Sequence, residues 1–425
     1  MRSHYKRIGD YVTLVKLKNS DGAISSLKGI NINKHFMPSV ANVNGTDLST
    51  YRVVKKNQFA FNPMHVGRDE VLPISMLEDD EPIIVSPAYV VFEVKDEEEL
   101  LPAYLMMWCR RSEFDRNAWF MTDNSVRGGF SWTDFCDMEL PIPSIEKQRE
   151  IVREYNVVND RIALNDQLTQ KLEDTAQAIY KQWFVDFEFP ISKEYAESIG
   201  KPELEGKPYK SSGGEMEYCE ELETNIPSGW SFGNLSDISD LIDGDRGKNY
   251  PSKEQMKDQG YCLFLNTGNV TKKGFLFENL CFIDQERDLL LRKGKLQVND
   301  VVLTTRGTIG NVARFSSVNP YKHMRINSGM LIIRPKSEEH SGFIFSLLQS
   351  VEMKIKIESF LSGSAQPQLP IKDLVKINII NPDGGLVLLF KEIINKINDN
   401  IDVIKNSQVQ LKNLSQIILQ RISKA

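Results

Sequence analysis

The sequence predicts an α+β fold in which one arrangement is used twice: a mixed α/β domain followed by a long helix, then a second such domain and helix. The first observation is a repeat, because residues 155–162 recur as residues 394–401, 239 positions later, with four of the eight pairs identical. The second is that both copies carry apolar residues at helical spacing without an internal Gly or Pro. The third is that the chain between the copies is long enough to hold a whole domain.

Each copy is predicted to be one long helix with a narrow apolar seam, whose positions follow alternating steps of four and three. The seam residues are Ile151, Tyr155, Val158, Ile162, Asn165, Thr169, Leu172, Ala176, Ile179 and Trp183 in the first copy, and Phe390, Ile394, Ile397, Ile401, Ile404, Gln408, Leu411, Ser415, Ile418 and Ile422 in the second. We expect the two helices to bury these seams against each other. The alternative is that each helix packs on its own neighbouring domain. Asn165, Thr169 and Gln408 are polar seam residues of the kind that fixes helix register.

The chain divides into five segments. Residues 1–146 form the first mixed domain, and residues 147–186 form the first helix. A polar, Glu-rich linker with several Gly and Pro residues is predicted at 187–226. Residues 227–385 form the second domain, and residues 386–425 form the second helix.

The composition is that of an ordinary globular protein, with 41% hydrophobic and 26% charged residues among 425. The five cysteines are scattered and contain no Cys-x-x-Cys pair, so we interpret them as reduced thiols rather than as a disulfide framework or a zinc site. No apolar run is long enough to cross a membrane, and the N-terminus carries no apolar signal segment. We therefore expect a cytoplasmic protein without a membrane partner.

The net charge of −6 argues weakly against a nucleic-acid partner. The linker and the first domain hold the excess of acidic residues, whereas the second domain and the last helix are net basic. The linker need not face DNA, so the total charge does not exclude a DNA-binding surface elsewhere.

Three stretches of the sequence carry a resemblance to a known family. They are residues 181–190, with Trp183-Phe184-Val185-Asp186-Phe187 near the start, residues 206–216, and residues 300–310, which contain Arg306-Gly307-Thr308. With the repeat, they make the whole chain resemble a specificity (S) subunit of type I restriction-modification systems. This resemblance implies two α/β target recognition domains alternating with two conserved helices, which pair as an antiparallel coiled coil in a pseudo-twofold arrangement. The first domain departs from the pattern, since residues 57–68 take the place of the Arg-Gly-Thr loop.

Residues that could read DNA lie in the loops of both domains. Arg and Lys suit guanine, Asn and Gln suit adenine, and small hydroxyls suit phosphate. The candidates are Asn62, His65, Arg68, Asn124, Ser125 and Arg127 in the first domain, and Arg246, Lys248, Asn249, Tyr250, Arg306, Thr308, Ser364, Gln366 and Gln368 in the second. The alternative is that these loops are ordinary turns with solvated side chains, and that His65 is structural.

No phosphate-binding loop, adenine-methylation tetrad or nuclease motif is found in the sequence, so we expect no catalytic and no metal-binding residues in this chain. The resemblance implies a subunit that recognises an asymmetric bipartite site in double-stranded DNA. It also implies that two methyltransferase (M) subunits methylate adenine there, and that restriction/translocase (R) subunits cleave DNA. S-adenosylmethionine, ATP and Mg are expected in those partners. The alternatives are a coiled-coil scaffold or adaptor that binds proteins through two globular domains, and an enzyme with an unrecognised motif.

Four aromatic residues crowd the end of the first helix: Trp183, Phe184, Phe187 and Phe189. Large aromatic side chains are common anchors of protein interfaces, so they are candidates for docking the methyltransferase subunits. The alternative is that they cap the paired helices or pack on a recognition domain.

Overall fold

The computed structural model describes residues 5–39, 45–64, 66–122, 129–361 and 368–424. The chain forms two compact units, Met1–Leu164 with Gln408–Ala425, and Asn165–Ser407. Each unit contains one mixed domain and a segment of both long helices. This architecture confirms the predicted α+β class.

The first unit is built around a four-stranded antiparallel sheet in the order β2-β9-β6-β7, beside three two-stranded pairs, β5-β8, β3-β4 and β1-β10. Its strands are β1 Tyr5–Arg7, β2 Val12–Leu14, β3 Lys28–Ile30, β4 Phe36–Pro38, β5 Arg52–Val54, β6 Phe59–Phe61, β7 Ile74–Met76, β8 Ile83–Val85, β9 Val90–Val94 and β10 Glu139–Pro141. Its helices are α1 Val66–Asp69, α2 Pro102–Cys109, α3 Ser112–Phe120, α4 Trp132–Asp137 and the start of α5 Ile145–Phe184. Stacked aromatic rings such as Phe59 and Phe92, whose centroids are 4.8 Å apart, fill its core.

The second unit repeats the four-stranded antiparallel sheet in the order β14-β22-β19-β20 and adds a three-stranded sheet, β18-β15-β21, in which β15 and β21 are parallel. The pairs β11-β12, β13-β23 and β16-β17 complete it. Its strands are β11 Met216–Cys219, β12 Thr224–Pro227, β13 Ser231–Asn234, β14 Ser239–Asp243, β15 Cys262–Leu265, β16 Val270–Thr271, β17 Gly274–Phe275, β18 Phe282–Ile283, β19 Val301–Thr304, β20 Val312–Arg314, β21 Met324–Ile326, β22 Met330–Pro335 and β23 Asn378–Asn381. Its helices are α6 Lys193–Ser198, α7 Leu235–Ile238, α8 Gln285–Leu290, α9 Ser341–Gln349, α10 Val351–Ser359, α11 Ile371–Leu374 and most of α12 Gly384–Arg421.

The two long helices start at equivalent positions, because Ile145 and Gly384 are 239 residues apart, the same offset as the sequence repeat. A polar side chain precedes each. The Ser144 hydroxyl accepts a hydrogen bond from the backbone N–H of Lys147 at 3.4 Å, and an Asp383 carboxylate oxygen accepts one from Gly385 at 2.9 Å. Such oxygens satisfy backbone donors that a helix start leaves unpaired. Both helices therefore begin two residues earlier than predicted, and they end at Phe184 and Arg421 rather than at 186 and 425.

No position of the predicted seam is exposed: each is buried or half-buried along both helices. In the first unit the Ser415 hydroxyl donates to the Asn159 side-chain oxygen at 3.4 Å, and the Gln408 amide donates to the Ile162 carbonyl at 3.3 Å. In the second unit Lys405 forms an ion pair with Glu173 at 3.0 Å. Asn159 of α5 contacts Ser415 of α12, whereas Ile162, further along α5, contacts Gln408, which lies earlier in α12. The paired segments of the two helices therefore run antiparallel.

The predicted linker is folded. It contains α6, β11 and most of β12, and it places buried side chains in the core of the second unit. These side chains are Phe187, Phe189, Ile191, Ala196, Tyr209, Cys219 and Ile226. These apolar side chains alternate with Glu residues in the sequence. Because they are buried in the core, residues 187–226 are part of the second unit and are not the polar linker that was predicted.

None of the helices in the described part of the chain is long and apolar enough to cross a membrane. The described residues also contain no group of three or more His, Cys, Asp or Glu side chains that could hold a metal ion.

Candidate nucleic-acid interface

Several loops of the second domain follow strand ends that lie next to one another, on the same side of its sheets. The antiparallel register pairs Asp243, the last residue of β14, with Leu331 near the start of β22, and pairs Thr304, the last residue of β19, with Met330. In the neighbouring sheet the parallel strands β15 and β21 end beside each other. We call the resulting surface the loop face; it comprises residues 244–250, 266–269, 305–311 and 327–329, with Gln368.

Two glycines allow these loops to approach closely. A Cβ atom at Gly244 would lie 2.1 Å from the backbone oxygen of Asn327, so only glycine fits between the first and last of these loops. Gly307 has a φ of 69°, in the left-handed region that other residues rarely adopt. The loops are therefore held against each other by backbone contacts.

Arg306 lies at the centre of the loop face. Its backbone N–H donates to the Gly329 carbonyl at 3.2 Å, and its Nε donates to the side-chain oxygen of Gln368 at 3.1 Å. The hydrogen bond from Nε orients the guanidinium of this half-buried residue, and no described residue accepts a hydrogen bond from either terminal nitrogen. The two terminal nitrogens of an arginine can donate parallel hydrogen bonds to the O6 and N7 atoms of guanine, which is how arginine recognises this base.

Arg246 lies next to this group. It forms an ion pair with Asp243 at 3.1 Å and donates to the backbone oxygen of Ser328 at 3.3 Å, while about half of its side chain stays exposed. Ser328 and Gly329 are consecutive, so Arg246 and Arg306 both contact the loop between β21 and β22. The structure thus brings together Arg246, Arg306 and Gln368, which the sequence could place only on separate loops.

Four other candidates in the second domain differ in whether their side chains are available for DNA contacts. Lys248 is exposed, and so is Thr308, whose carbonyl accepts a hydrogen bond from the Thr304 hydroxyl. Asn249 instead uses its amide to donate to the Leu290 carbonyl at 3.2 Å. Tyr250 packs edge-on against Phe264, with ring centroids 5.5 Å apart, and burial raises the pKa of its hydroxyl. Asn249 and Tyr250 therefore make structural contacts.

Fewer of the predicted residues can be placed in the first domain. The side-chain oxygen of Asn62 accepts a hydrogen bond from the Met64 N–H at 3.0 Å, which closes a tight turn after β6. Arg68 belongs to α1, but its side chain is not described. The remaining candidates lie outside the described residues: His65, Asn124, Ser125 and Arg127, together with Ser364 and Gln366 of the second domain.

The polar residues of the loop face that the sequence prediction missed include Thr267, Asn327 and Ser328. Each lies in an Asn-x-Gly turn directly after a buried strand, Asn266-Thr267-Gly268 after β15 and Asn327-Ser328-Gly329 after β21. A buried strand followed by a polar turn with glycine is the sequence pattern that could have identified these residues.

The four aromatic residues proposed to dock a partner lie in the core of the second unit. Trp183, Phe184, Phe187 and Phe189 are all at least nine-tenths buried. Phe184 packs against Phe390 with ring centroids 4.8 Å apart, and the Phe189 ring stacks on Trp230 at 5.1 Å. Their burial is a correction to the docking prediction, because side chains already enclosed by their own chain offer no surface to a partner. It supports the structural alternative.

Comparisons with known proteins agree with this architecture. The family model for the type I restriction modification DNA specificity domain matches residues 227–413. The type I restriction enzyme HindI specificity subunit of Haemophilus influenzae is 24% identical, over 91% of this chain and 89% of the relative. The MjaIX specificity subunit of Methanocaldococcus jannaschii is 26% identical over 66% of this chain and 58% of its own length.

Among solved structures, the S subunit of a type I restriction-modification system from M. genitalium superposes with a TM-score of 0.55 at 13% identity, covering 99% of this chain and 95% of that one. This likeness shows a shared fold. In sequence, the chain is similar to type I restriction-modification DNA specificity subunits, through the family model over residues 227–413 and through these two relatives at 24% and 26% identity.

Proposed function

We propose that this chain selects the DNA sequence on which a type I restriction-modification enzyme acts. Each domain reads one half of an asymmetric bipartite site, and partner subunits methylate adenine and cleave DNA. The observation that carries the proposal is the loop face, where Arg306 is oriented by Gln368 and flanked by Arg246. Direct readout of base edges needs side chains held in this way on a rigid backbone.

The two half-sites are proposed to differ because the loops that read them differ. The loop between β19 and β20 carries Arg306, whereas the loop at the same place in the first sheet, between β6 and β7, carries Asn62. The surrounding four-stranded sheets share one strand order. A common sheet with different loops supports two readers of different sequence. The relatives do not favour the adaptor alternative.

No chemical step is assigned to this chain in the proposal. Two M subunits supply methyl transfer from S-adenosylmethionine, and R subunits supply ATP- and Mg-dependent translocation and cleavage. The outer surfaces of the long helices are proposed to dock the M subunits, because they expose apolar side chains: Leu164, for example, is 57% exposed and Val403 is 55% exposed. Leu168, one helical turn from Leu164, is exposed as well, and contiguous exposed apolar surface marks sites of interaction.

The test is Arg306→Ala in the complex reconstituted with its M subunits. Binding is measured to the cognate duplex, identified by methylation mapping, and to duplexes with each base pair changed. If Arg306 contacts guanine through both terminal nitrogens, the variant loses about 1–3 kcal/mol and its preference at one base pair. Lys322→Ala, an exposed lysine at the opposite end of β21, is the control. Unchanged affinity and specificity in the Arg306 variant would remove the loop face from the proposal.

A further inference from the structure

We infer that the segment after α8 is a second limb of the DNA-binding surface, in which Arg292 and Lys293 contact the phosphate backbone and buried Arg325 positions them. The inference rests on the proposed function and extends it to a segment outside the predicted DNA-contacting loops. The ligand class is the phosphodiester backbone of duplex DNA.

Hydrogen bonds attach this segment to the loop face. The backbone N–H of Arg292 donates to a carboxylate oxygen of Asp245 at 2.8 Å, and the Asn249 amide donates to the Leu290 carbonyl at 3.2 Å. In return, the Arg287 guanidinium donates to the Asn249 carbonyl at 3.3 Å. Residues 287–292 therefore lie directly beside the loop that carries Arg246 and Lys248, as a continuation of the same surface.

A buried guanidinium fixes the backbone on both sides of Arg292. Arg325, 7% exposed at its side chain, donates to the Leu291 carbonyl at 3.0 Å and to the Lys293 carbonyl at 2.7 Å. It also donates to the backbone oxygen of Asp288 at 2.7 Å and forms an ion pair with its carboxylate at 2.5 Å. Because the carbonyls at 291 and 293 point inward to Arg325, the intervening backbone is held rigid.

The same carboxylate also binds a second cation. Lys295 donates to Asp288 at 2.6 Å, so one carboxylate is shared by Arg325 and Lys295. Burial alone would raise the pKa of Asp288, but hydrogen bonds from Lys295 and Arg325 hold it below its usual value. The cluster thus stays ionised, and its charges are used inside the domain rather than at the surface.

The outward side chains are cations without an acidic partner. Arg292 and Lys293 are exposed, as is Lys248 on the neighbouring loop, and none of the three takes part in an ion pair within the described part of the chain. Of the nearby acids, Asp243 pairs with Arg246, and the Asp245 carboxylate, which accepts from the Arg292 N–H, is one negative charge beside the three exposed cations. A row of cations that outnumbers the acids beside it, on a fixed backbone, suits phosphates spaced along a duplex.

The test measures affinity for the cognate duplex across a series of salt concentrations, using the complex with its M subunits. Arg292→Ala and Lys293→Ala should each lower the slope of log affinity against log salt by about 0.9 and weaken binding equally to cognate and base-substituted duplexes. The base preferences should not change. Lys322→Ala should leave the slope unaltered.

Arg325→Lys tests the positioning role, because a single ammonium cannot hold three carbonyls and a carboxylate together. The folded variant, verified by its melting temperature, should show a slope reduced as in the Arg292 variant. If it does not fold, Asp288→Asn replaces it with the same expected slope change. A slope like that of the unaltered chain in Arg292→Ala and Lys293→Ala overturns the inference. A complex that shows no sequence preference even without substitutions would instead overturn the proposed function.

Discussion

The ion cluster between β20 and α12 gives a sharp test of how the second domain is held on its helix. Arg314 of β20, with 5% of its side chain exposed, donates to Asp399 at 2.6 Å, to Asp402 at 3.3 Å and to the side-chain oxygen of Asn395 at 3.3 Å. The partners are much more exposed, since 55% of the Asp399 side chain faces solvent. The cation is therefore desolvated while the acids remain partly hydrated.

This asymmetry predicts unequal costs for removing the two sides. Asp399→Ala with Asp402→Ala leaves a buried guanidinium with Asn395 as its remaining acceptor, which should cost about 3 kcal/mol, the low end for an uncompensated buried charge. Arg314→Met fills the same space and returns both carboxylates to water, so it should cost about 1 kcal/mol or less. In a unit of this size about 3 kcal/mol corresponds to a melting temperature lower by roughly 6–12 °C.

The assay is thermal and urea unfolding of the full chain, with hydrogen exchange to assign the affected unit. Asp160→Ala is the matched control. Asp160 occupies the repeat position of Asp399, but it is exposed, and Met76 stands at the end of β7 where β20 has Arg314. Its removal should change stability by less than about 0.5 kcal/mol. If Arg314→Met destabilises the chain as much as the double alanine variant, the reasoning from unequal burial is wrong.

Three further predictions follow from the fold. Phe187→Ala and Phe189→Ala should each lower the free energy of unfolding by about 3–5 kcal/mol, measured by urea denaturation, because both rings are buried; full stability with lost M-subunit copurification would restore the docking role. Leu164→Glu should weaken that copurification in a pull-down without lowering the melting temperature, and an unchanged yield would contradict docking on the helices. Gly244→Ala should abolish specific DNA binding in a gel shift because a Cβ there overlaps the neighbouring loop, whereas Gly247→Ala, which meets nothing closer than 3.5 Å, should bind normally.

The long helices were predictable because a helix seam is a local, periodic signal. Tyr155 and Ile394 could be assigned to buried faces from spacing alone, and both are buried. The 239-residue offset predicted two equivalent helices, and their first residues are separated by that number. Local chemistry at the helix starts, through Ser144 and Asp383, then set boundaries that the apolar spacing did not reveal.

The packing of residues 187–226 and the assembly of the loop face were not predictable in the same way. The Glu-rich composition of the linker concealed isolated aromatic residues such as Phe189, whose partner Trp230 lies 41 positions further along the chain. Arg246 meets Ser328 only because β14 and β22 pair in one register, and that pairing depends on the whole sheet. Single residues on loops could be nominated from chemistry, but which of them face each other is a property of the tertiary structure.

The strand pairs at the base of each domain have a consequence for how such chains can evolve. In the first domain β1 pairs with β10, and Arg7 lies opposite Glu139. In the second domain β13 pairs with β23, and Asn234 lies opposite Asn378, which is 239 residues after Glu139. In both domains the first strand and the last strand before the helix are thus hydrogen-bonded neighbours. A recombination event that replaces everything between them needs to preserve this ladder of three or four residue pairs and the contacts to the helices, such as the ion pair of Arg314 with Asp399. The backbone bonds of that ladder do not depend on side-chain identity, so new reading domains that keep the helix contacts can be acquired without changes to the helices.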